Sequence, residues 1–504
     1  MRVSRILCAS LVLFLAGVSS PLGAALTLPE CSSDGPRIQT AQRKSLGEEL
    51  IEKLPSVPLD WKPPAVGKDI SRRTMANGCV LYLKEDHSLP LVSISARFRT
   101  GSLYEADSET DVASLVATLM RTGGTVKIPY QQVDEALGFI SADVTSRADQ
   151  ESAVITLRVP SKDLPEALRI FANIIMAPSF PQDRIDFEKE QLRQLIIREN
   201  DNPRAIANRE YKKLLYGQHP YGRALDGERI KRIAREDLVV WHDKYYVPNN
   251  AWFGVTGDFM SSQLVATLED AFATWQKRPL SLPEPRKVEL VGRPGVYIVD
   301  RPGNQTAISF GHLGVDRSNP DVYALTIMNY ILGGGGFSSR YEQEVRDRAG
   351  LAYAVNSAFA VDTVETGSFT SVVQTKTETT YQTLELMLKL INQIRGEPIS
   401  DAEFQGAKQS LMNGYVWTFT TLAATVDLLM SLEVTGRDRN YYADYLAKIA
   451  AVTKADVERV AKTYVKPDKL IFVLVGKSDS FSDRVKAFGE VRRIELKSSV
   501  ASTL

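Results

Sequence analysis

The chain has 504 residues, and its 61 lysine and arginine residues balance 61 aspartate and glutamate residues. This balance argues against a nucleic-acid-binding protein, because such proteins carry clustered positive charge. A single hydrophobic core rarely extends beyond about 250–300 residues, so the length predicts more than one domain.

The first 25 residues have the pattern of an export signal. Arg2 and Arg5 precede a mostly apolar stretch, residues 6–18, and small residues at 23–25 offer a cleavage site. The apolar stretch is too short for a comfortable membrane span, and no later segment has 18 consecutive apolar residues. The sequence therefore predicts an exported protein, periplasmic or otherwise extracytoplasmic, with no membrane insertion of the mature chain.

Two cysteines follow this signal, Cys31 and Cys79. Export permits a disulfide between them, but the sequence does not show whether the two are close in space. Their wide separation along the chain lacks the ligand spacing of a metal site. Cys31 belongs to residues 26–68, a stretch with several prolines that we interpret as an irregular lead-in.

The first domain is predicted to span residues 69–276 and to mix strands with helices. Its strands are expected where apolar and polar side chains alternate, and its helices where apolar residues share one face. The patterns predict strands at 92–98, 153–159 and 252–257 and helices at 112–120, 164–175 and 183–198.

The same order of elements returns in a second domain at residues 294–490, after a proline-containing linker at 277–293 and before a tail at 491–504. The patterns predict strands at 368–373 and 470–476 and helices at 384–394 and 401–414. Phe187 and Phe404, and likewise Gly257 and Gly476, are related by nearly the same offset, which indicates duplication. The predicted fold is α+β, with two homologous α/β sandwich-like domains that form a duplicated half-shell.

One stretch of the second domain, residues 332–357, combines four glycines with a charged helix candidate and a following strand. A glycine run can cradle a phosphate, but no Gly-Lys-Ser/Thr follows it, and it comes after helical spacing instead of a strand. Gly350 is a plausible stop for the charged helix at 341–348. Taken alone, the run predicts a flexible turn between two helices.

The order of these elements resembles the C-terminal-domain signature of the pitrilysin/insulinase family of zinc peptidases. In that signature a glycine-rich turn, Ser-Arg, an arginine and a Gly-x-x-Tyr-like element follow one another. Other segments that resemble family landmarks are residues 201–203 (DNP), 219–222 (HPYG) and 300–305 (DRPGNQ). The resemblance covers most of the chain and implies two related α/β domains.

The resemblance also implies a substrate-binding pair, Arg346 and Tyr353, which the family's C-terminal domain uses to hold the substrate backbone. The residue types suit that role. Arginine offers fixed charged donors and tyrosine a hydroxyl, and both can bind a peptide carbonyl or a developing oxyanion.

Family peptidases carry His-x-x-Glu-His on a helix of the first domain, where two histidines bind zinc and the glutamate takes a proton from the bound water. In this chain Ser114 and Thr118 stand where the histidines would be, and Ala117 where the glutamate would be. Gln194 falls near the position of a further glutamate ligand. No histidine pair can replace the lost ligands on one helical turn, because the histidines are His87, His219, His242 and His312. We therefore expect no metal and no catalytic residue on this chain.

Some proteins of the resembled family divide the work between a zinc-bearing subunit and a related subunit that lacks the motif. The resemblance implies that this chain is the second kind, the non-catalytic substrate-binding subunit of an exported heterodimeric zinc peptidase. Its partner would be a homologous zinc-bearing subunit, and its substrate a peptide or unfolded polypeptide paired with a sheet edge. A homodimer also stays open.

Two other functions remain open from the sequence. The chain could be a stand-alone zinc peptidase with atypical ligands, or a non-proteolytic binding or scaffold protein of the same fold. The changed positions Ser114, Ala117 and Thr118 disfavour the first, and the retained pair Arg346 and Tyr353 disfavours the second.

Overall fold

The computed structural model describes residues 61–107 and 111–496. The strands are β1 Ser71–Thr74, β2 Val80–Glu85, β3 Leu91–Phe98, β4 Asp143–Ala148, β5 Ala153–Pro160, β6 Ala251–Gly257, β7 Gly295–Asp300, β8 Gln305–Leu313, β9 Ala352–Phe359, β10 Ser368–Lys376, β11 Ile471–Gly476 and β12 Val491–Arg493. The predicted export signal, Cys31 and most of the lead-in lie outside the described residues, so the signal and the disulfide stay predictions. Cys79 is buried.

The helices follow the predicted positions closely in both domains. They are α1 Val112–Thr122, α2 Tyr130–Phe139, α3 Leu164–Met176, α4 Gln182–Ile197, α5 Pro203–Tyr216, α6 Gly227–Arg232, α7 Arg235–Tyr245, α8 Ser261–Ala271, α9 Val322–Asn329, α10 Thr380–Gly396, α11 Asp401–Gly414, α12 Leu422–Val434, α13 Tyr441–Ala451 and α14 Lys454–Tyr464. The expected α+β class is confirmed.

The strands form two six-stranded sheets with matching topology. Their orders are β1-β2-β6-β3-β5-β4 and β12-β7-β11-β8-β10-β9. Each sheet contains a parallel pair at the same place, β2 with β6 and β7 with β11, followed by three antiparallel pairings. The two edges differ, because β1 is antiparallel to β2 whereas β12 is parallel to β7. The matching order supports the predicted duplication.

The alternating sequence of β3 explains how the first sheet divides core from surface. Val92, Ile94, Ala96 and Phe98 are buried in the first core, while the serine and arginine side chains between them lie on the other face. The helices α1 and α3 bury their apolar stripes in the same core. Each fully buried apolar side chain of this size contributes roughly 1.5–3 kcal/mol relative to exposure.

Each domain sends one helix onto the sheet of the other domain. Helix α5 lies between β5 and β6 of the first domain in sequence, yet its side chains Ile206, Tyr211 and Leu215 pack on β7, β8 and β11 of the second sheet. Helix α12 belongs to the second domain, and its Val426 and Met430 pack on β2 and β6 of the first sheet. This exchange covers part of the sheet face that each domain's own helices leave open.

Charged side chains fix α12 on the first sheet. Glu433 accepts two hydrogen bonds from Arg72, at 2.8 and 2.6 Å, and one from the Tyr82 hydroxyl at 2.6 Å. Asp427 accepts from Ser95 and Arg97 at 2.9 and 2.6 Å. Burial alone would raise the pKa of Glu433, but the hydrogen bonds from Arg72 and Tyr82 lower it to about 2. The carboxylate is therefore held in its charged form.

Two segments at the ends of the second domain bear on its predicted extent. Residues 277–290 contain no helix or strand, as expected of a linker. Strand β12 pairs with β7, so the second domain continues beyond residue 490 into the segment assigned to a tail. The three residues of β12 are too few to show a strand pattern, and only their pairing with β7 reveals the strand.

Within residues 61–107 and 111–496, no single helix is long and apolar enough to cross a membrane. Residues 401–419 and Leu422–Val434 together have the length and apolar composition of a membrane span, but a bend of 104° separates them. The second member of that pair is α12, which buries much of its apolar surface against the first sheet.

Candidate functional site

The glycine run forms a tight turn between α9 and the second sheet. The chain leaves α9 through a wide π-type turn at Tyr330–Gly334 and reaches Gly336, whose φ of +57° favours glycine. A Cβ atom on Gly333 would lie 2.6 Å from the Ser357 Oγ atom and 2.6 Å from the Tyr341 ring. Close packing against β9 thus explains Gly333, and its positive φ explains Gly336, with no need for a phosphate ligand.

The charged helix candidate is a short helical segment of the π type, Glu342–Arg348, at the predicted position. It ends at Gly350, which adopts a φ of +62° and donates its backbone N–H to the Arg346 carbonyl at 3.0 Å. The chain then enters β9 at Ala352. Gly350 is therefore the helix stop that the sequence predicts, and it turns the chain so that Tyr353 returns beside Arg346.

The structure brings the predicted pair, Arg346 and Tyr353, together in one exposed cluster. The guanidinium carbon of Arg346 lies 5.5 Å from the centroid of the Tyr353 ring and 4.7 Å from that of Phe337. Glu342 accepts a hydrogen bond from Arg346 Nη1 at 3.3 Å. Tyr353 is 85% exposed and Phe337 70% exposed. We call these four residues the Arg346 cluster.

The Arg346 cluster presents a positioned cation with spare donors. A guanidinium has five N–H donors. Within the described residues the Arg346 guanidinium hydrogen-bonds only to Glu342, and its Nε atom lies 3.9 Å from the Asp347 carboxylate. The two rings hold its planar face by cation–π contact, worth about 0.5–1 kcal/mol at an exposed site. The free donors and the exposed Tyr353 hydroxyl can bind carbonyl oxygens of an extended chain. The sequence interpretation missed Phe337, since an aromatic residue after a glycine run gives no signal of its own.

The structure places the changed zinc-motif positions on α1, as predicted. Ser114 and Thr118 lie one helical turn apart, and the Thr118 hydroxyl donates a hydrogen bond to the Ser114 carbonyl at 3.1 Å. Ala117 is fully buried. An alanine methyl can neither bind a metal nor accept a proton, so α1 lacks the chemistry of the family motif.

Gln194, the fourth changed position, lies on α4, which packs beside α1. Its amide donates to Glu190 Oε1 at 2.7 Å. The two helices are joined by a hydrogen bond of 3.1 Å from Thr122 to Glu188. The fold thus sets these helices side by side, as a zinc site between them would need, but the side chains present do not fit a zinc ion.

The four histidines hydrogen-bond to protein groups at separate places. The bonds are His87 to Asp258 at 2.7 Å, His219 to the Arg286 carbonyl at 2.9 Å, His242 to the Ile175 carbonyl at 2.8 Å and His312 to the Leu313 carbonyl at 2.8 Å. In the described part of the chain, no group of three or more His, Cys, Asp and Glu side chains is arranged to hold a metal ion.

His87 gives a testable pH dependence. Its hydrogen bond to Asp258, assisted by Glu85, raises the pKa of the imidazole above its ordinary 6.5. A raised folded-state pKa means that this pair stabilises the fold below about pH 6.5, and that the contribution is lost as pH rises through the folded-state value. We expect an NMR titration to give a pKa above 6.5, and Asp258→Asn to return it toward 6.5. An unchanged pKa in that variant would show that Asp258 is not the cause.

Two family models match the chain in sequence. Residues 80–229 match one described as Insulinase (Peptidase family M16), and residues 232–411 match one described as Peptidase M16 inactive domain. The chain belongs to the M16 family. The first range of this M16 chain contains all four changed zinc-motif positions, and the second contains the Arg346 cluster.

Sequence relatives of this M16 chain are known in bacteria. An uncharacterized zinc protease of Mycobacterium leprae is 23% identical over 359 residues, which cover 70% of this chain and 80% of that protein. An uncharacterized zinc protease of Rickettsia felis is 26% identical over 344 residues, which cover 67% of this chain and 82% of that protein.

Solved structures share the fold. The peptidase M16 inactive domain from Pseudomonas fluorescens matches with a TM-score of 0.72 at 27% identity, covering 81% of this M16 chain and 97% of that chain. The periplasmic protease PqqL from Escherichia coli matches with a TM-score of 0.68 at 13% identity, covering 82% of this chain and 46% of that one. The second likeness concerns the fold alone.

Proposed function

We propose that this chain is the non-catalytic, substrate-binding subunit of an exported heterodimeric zinc peptidase that degrades or processes peptides or unfolded polypeptides. One contrast carries the proposal. The Arg346 cluster is assembled and open to solvent, whereas the helix that should carry the zinc motif has Ser114, Ala117 and Thr118 at the functional positions.

The chemistry of the cluster suits backbone recognition in a partner's active site. Arg346 would donate to a peptide carbonyl, and these bonds would strengthen as the carbonyl oxygen becomes negative during attack by a zinc-bound water on the partner. Tyr353 would add a neutral donor beside it. Glu342 and the two aromatic rings keep the guanidinium oriented, which lowers the entropy lost on binding.

The relatives are consistent with this assignment. The Pseudomonas fluorescens structure is described as an inactive domain, while the mycobacterial and rickettsial relatives are described as zinc proteases. A family with both kinds of chain can supply a zinc-bearing partner. Export is supported by the pattern of residues 1–25 and by the likeness to a protease described as periplasmic.

The proposal predicts that the chain alone neither binds stoichiometric zinc nor cleaves peptides, and that a zinc-bearing homologue from the same organism restores cleavage. The test combines metal analysis by mass spectrometry and peptide digestion, first on the chain alone and then on the co-expressed pair. Size-exclusion chromatography with light scattering should show the mass of a heterodimer, since stable interfaces commonly bury about 1,200–2,000 Å².

Two results would contradict the proposal in different ways. One zinc per isolated chain with chelator-sensitive cleavage would establish a stand-alone peptidase with atypical ligands. A chain that stays monomeric and leaves the activity of every exported homologue unchanged would favour the scaffold function. A self-associated chain would appear in the same light-scattering measurement as a homodimer.

A further inference from the structure

A pocket opens beside α5, on the same sheet face that this helix covers in the second domain. Helix α5 packs mainly over β11 and β8, so the adjoining surface of β10 and β9 is left open. The space between the helix and these strands has a volume of about 420 Å³. This is within the range of about 300–1,000 Å³ that is usual for ligand pockets.

The strand register shows which residues form the base of the pocket. Asn356 of β9, Val372 of β10, Ser309 of β8 and Val473 of β11 are Cα partners in one row across the sheet. Helix α5 covers Val473, whereas Ser309, the next residue of the row, lines the pocket at the edge of the helix. The pocket therefore extends from the edge of α5 to β9, the terminal strand of this sheet.

Several polar groups of the pocket have no hydrogen-bond partner among the residues that the structure describes. The side chains of Arg204 and Asn208 on α5, and of Asn356 on β9, make no hydrogen bond to any residue that the structure describes. Ser309 is only 3% exposed, and its hydroxyl likewise has no partner in the described chain. The Ser309 hydroxyl lines the pocket and is available to hydrogen-bond a group bound there.

The charge of the residues that line the pocket indicates a negatively charged ligand. Arg204 is the only charged side chain among the lining residues that the structure describes, and the lining contains no carboxylate. Arg204 lies in the first turn of α5, where the aligned peptide dipoles also favour negative charge. A guanidinium, two amides and a hydroxyl can all donate hydrogen bonds to a carboxylate.

We infer that this pocket binds the carboxylate of an aspartate or glutamate side chain in an extended peptide that pairs with β9. Tyr353 belongs to the Arg346 cluster, whereas Ala354 and Asn356 line the pocket, and the pairing of β9 with β10 has a bulge at Tyr353 and Ala354. A peptide paired with β9 would reach both sites. The inference rests on the proposed substrate-binding function and adds a preference for acidic segments.

The test is fluorescence anisotropy on the full chain, using short labelled peptides with capped ends and a single glutamate moved along a serine–threonine–alanine sequence. At one position the glutamate peptide should bind at least about tenfold more tightly than its glutamine counterpart, because the charge-assisted bond is lost in the latter. Arg204→Gln should abolish that difference. Lys212→Gln, an exposed charge on the same helix but outside the pocket, should preserve it.

Further variants separate the possible outcomes. Asn356→Asp should weaken binding of the glutamate peptide but not of the glutamine peptide, because it adds a repelling charge. Arg346→Ala should weaken binding of the two peptides equally. Equal binding of glutamate and glutamine peptides, or binding indifferent to Arg204→Gln, would overturn the pocket assignment and leave the proposed function standing. Failure of every peptide to bind would overturn both. If a glutamine peptide with an uncapped C-terminus binds as tightly as the capped glutamate peptide, the ligand is a terminal carboxylate and the side-chain assignment is overturned.

Discussion

Arg346→Ala is expected to lower the peptidase activity of the reconstituted pair about 10- to 150-fold. The substitution removes a charge-assisted hydrogen bond to substrate worth roughly 1.5–3 kcal/mol. If that bond strengthens in the transition state, each ~1.36 kcal/mol lost appears as a tenfold fall in rate. The measurement is steady-state kinetics on the purified complex, with assembly checked by chromatography.

The neighbouring substitutions make this prediction specific. Tyr353→Phe should cost less, nearer a few-fold, because a neutral hydroxyl bond contributes about 1 kcal/mol. Arg348→Ala is the matched control, since Arg348 lies on the same helical segment, is exposed and pairs with Glu344. Full activity in the Arg346→Ala/Tyr353→Phe double variant would show that the pair is structural and would favour the scaffold function.

Met430→Ala is expected to destabilise the protein by about 2–5 kcal/mol, the usual cost of emptying a buried methionine site. Met430 is 0% exposed on α12, in the cluster formed with β2 of the first domain. A Cβ built on Gly254 of β6 would lie 3.4 Å from the Met430 Cε atom, so the helix sits close to the first sheet. The measurement is chemical unfolding, followed by tryptophan fluorescence and far-UV circular dichroism.

Met260→Ala provides the matched control for this change. Met260 carries the same side chain but is 54% exposed, so its removal should shift the unfolding free energy by no more than about 0.5 kcal/mol. The exchanged helices also predict that both domains lose stability together in the Met430→Ala variant. A variant as stable as the parent would show that α12 is not anchored on the first sheet.

The candidate site was partly accessible to sequence reasoning. Arg346 and Tyr353 were found because the glycine run, the charged helix and Gly350 follow one another in a recognisable order. Their contact depends on the φ of +62° at Gly350 and on the wide helical turn before it. Phe337 and the pocket around Arg204 and Ser309 were not found, because exposure and missing hydrogen-bond partners exist only once the chain is folded.

The sequence by itself determined the α+β class, the two-domain order and the positions of several helices and strands in each domain, because hydrophobic periodicity is local and the two halves repeat it. The residue types at Ser114, Ala117, Thr118 and Gln194 also predict, from the sequence alone, that no zinc ligands are present there, because ligand chemistry depends on residue type. Only the tertiary structure shows that α5 and α12 each pack on the sheet of the other domain. It also shows that β12 completes the second sheet and that a pocket opens beside β9. These features depend on which buried surfaces meet, and contacts between residues far apart in the chain leave no local periodicity to reveal them.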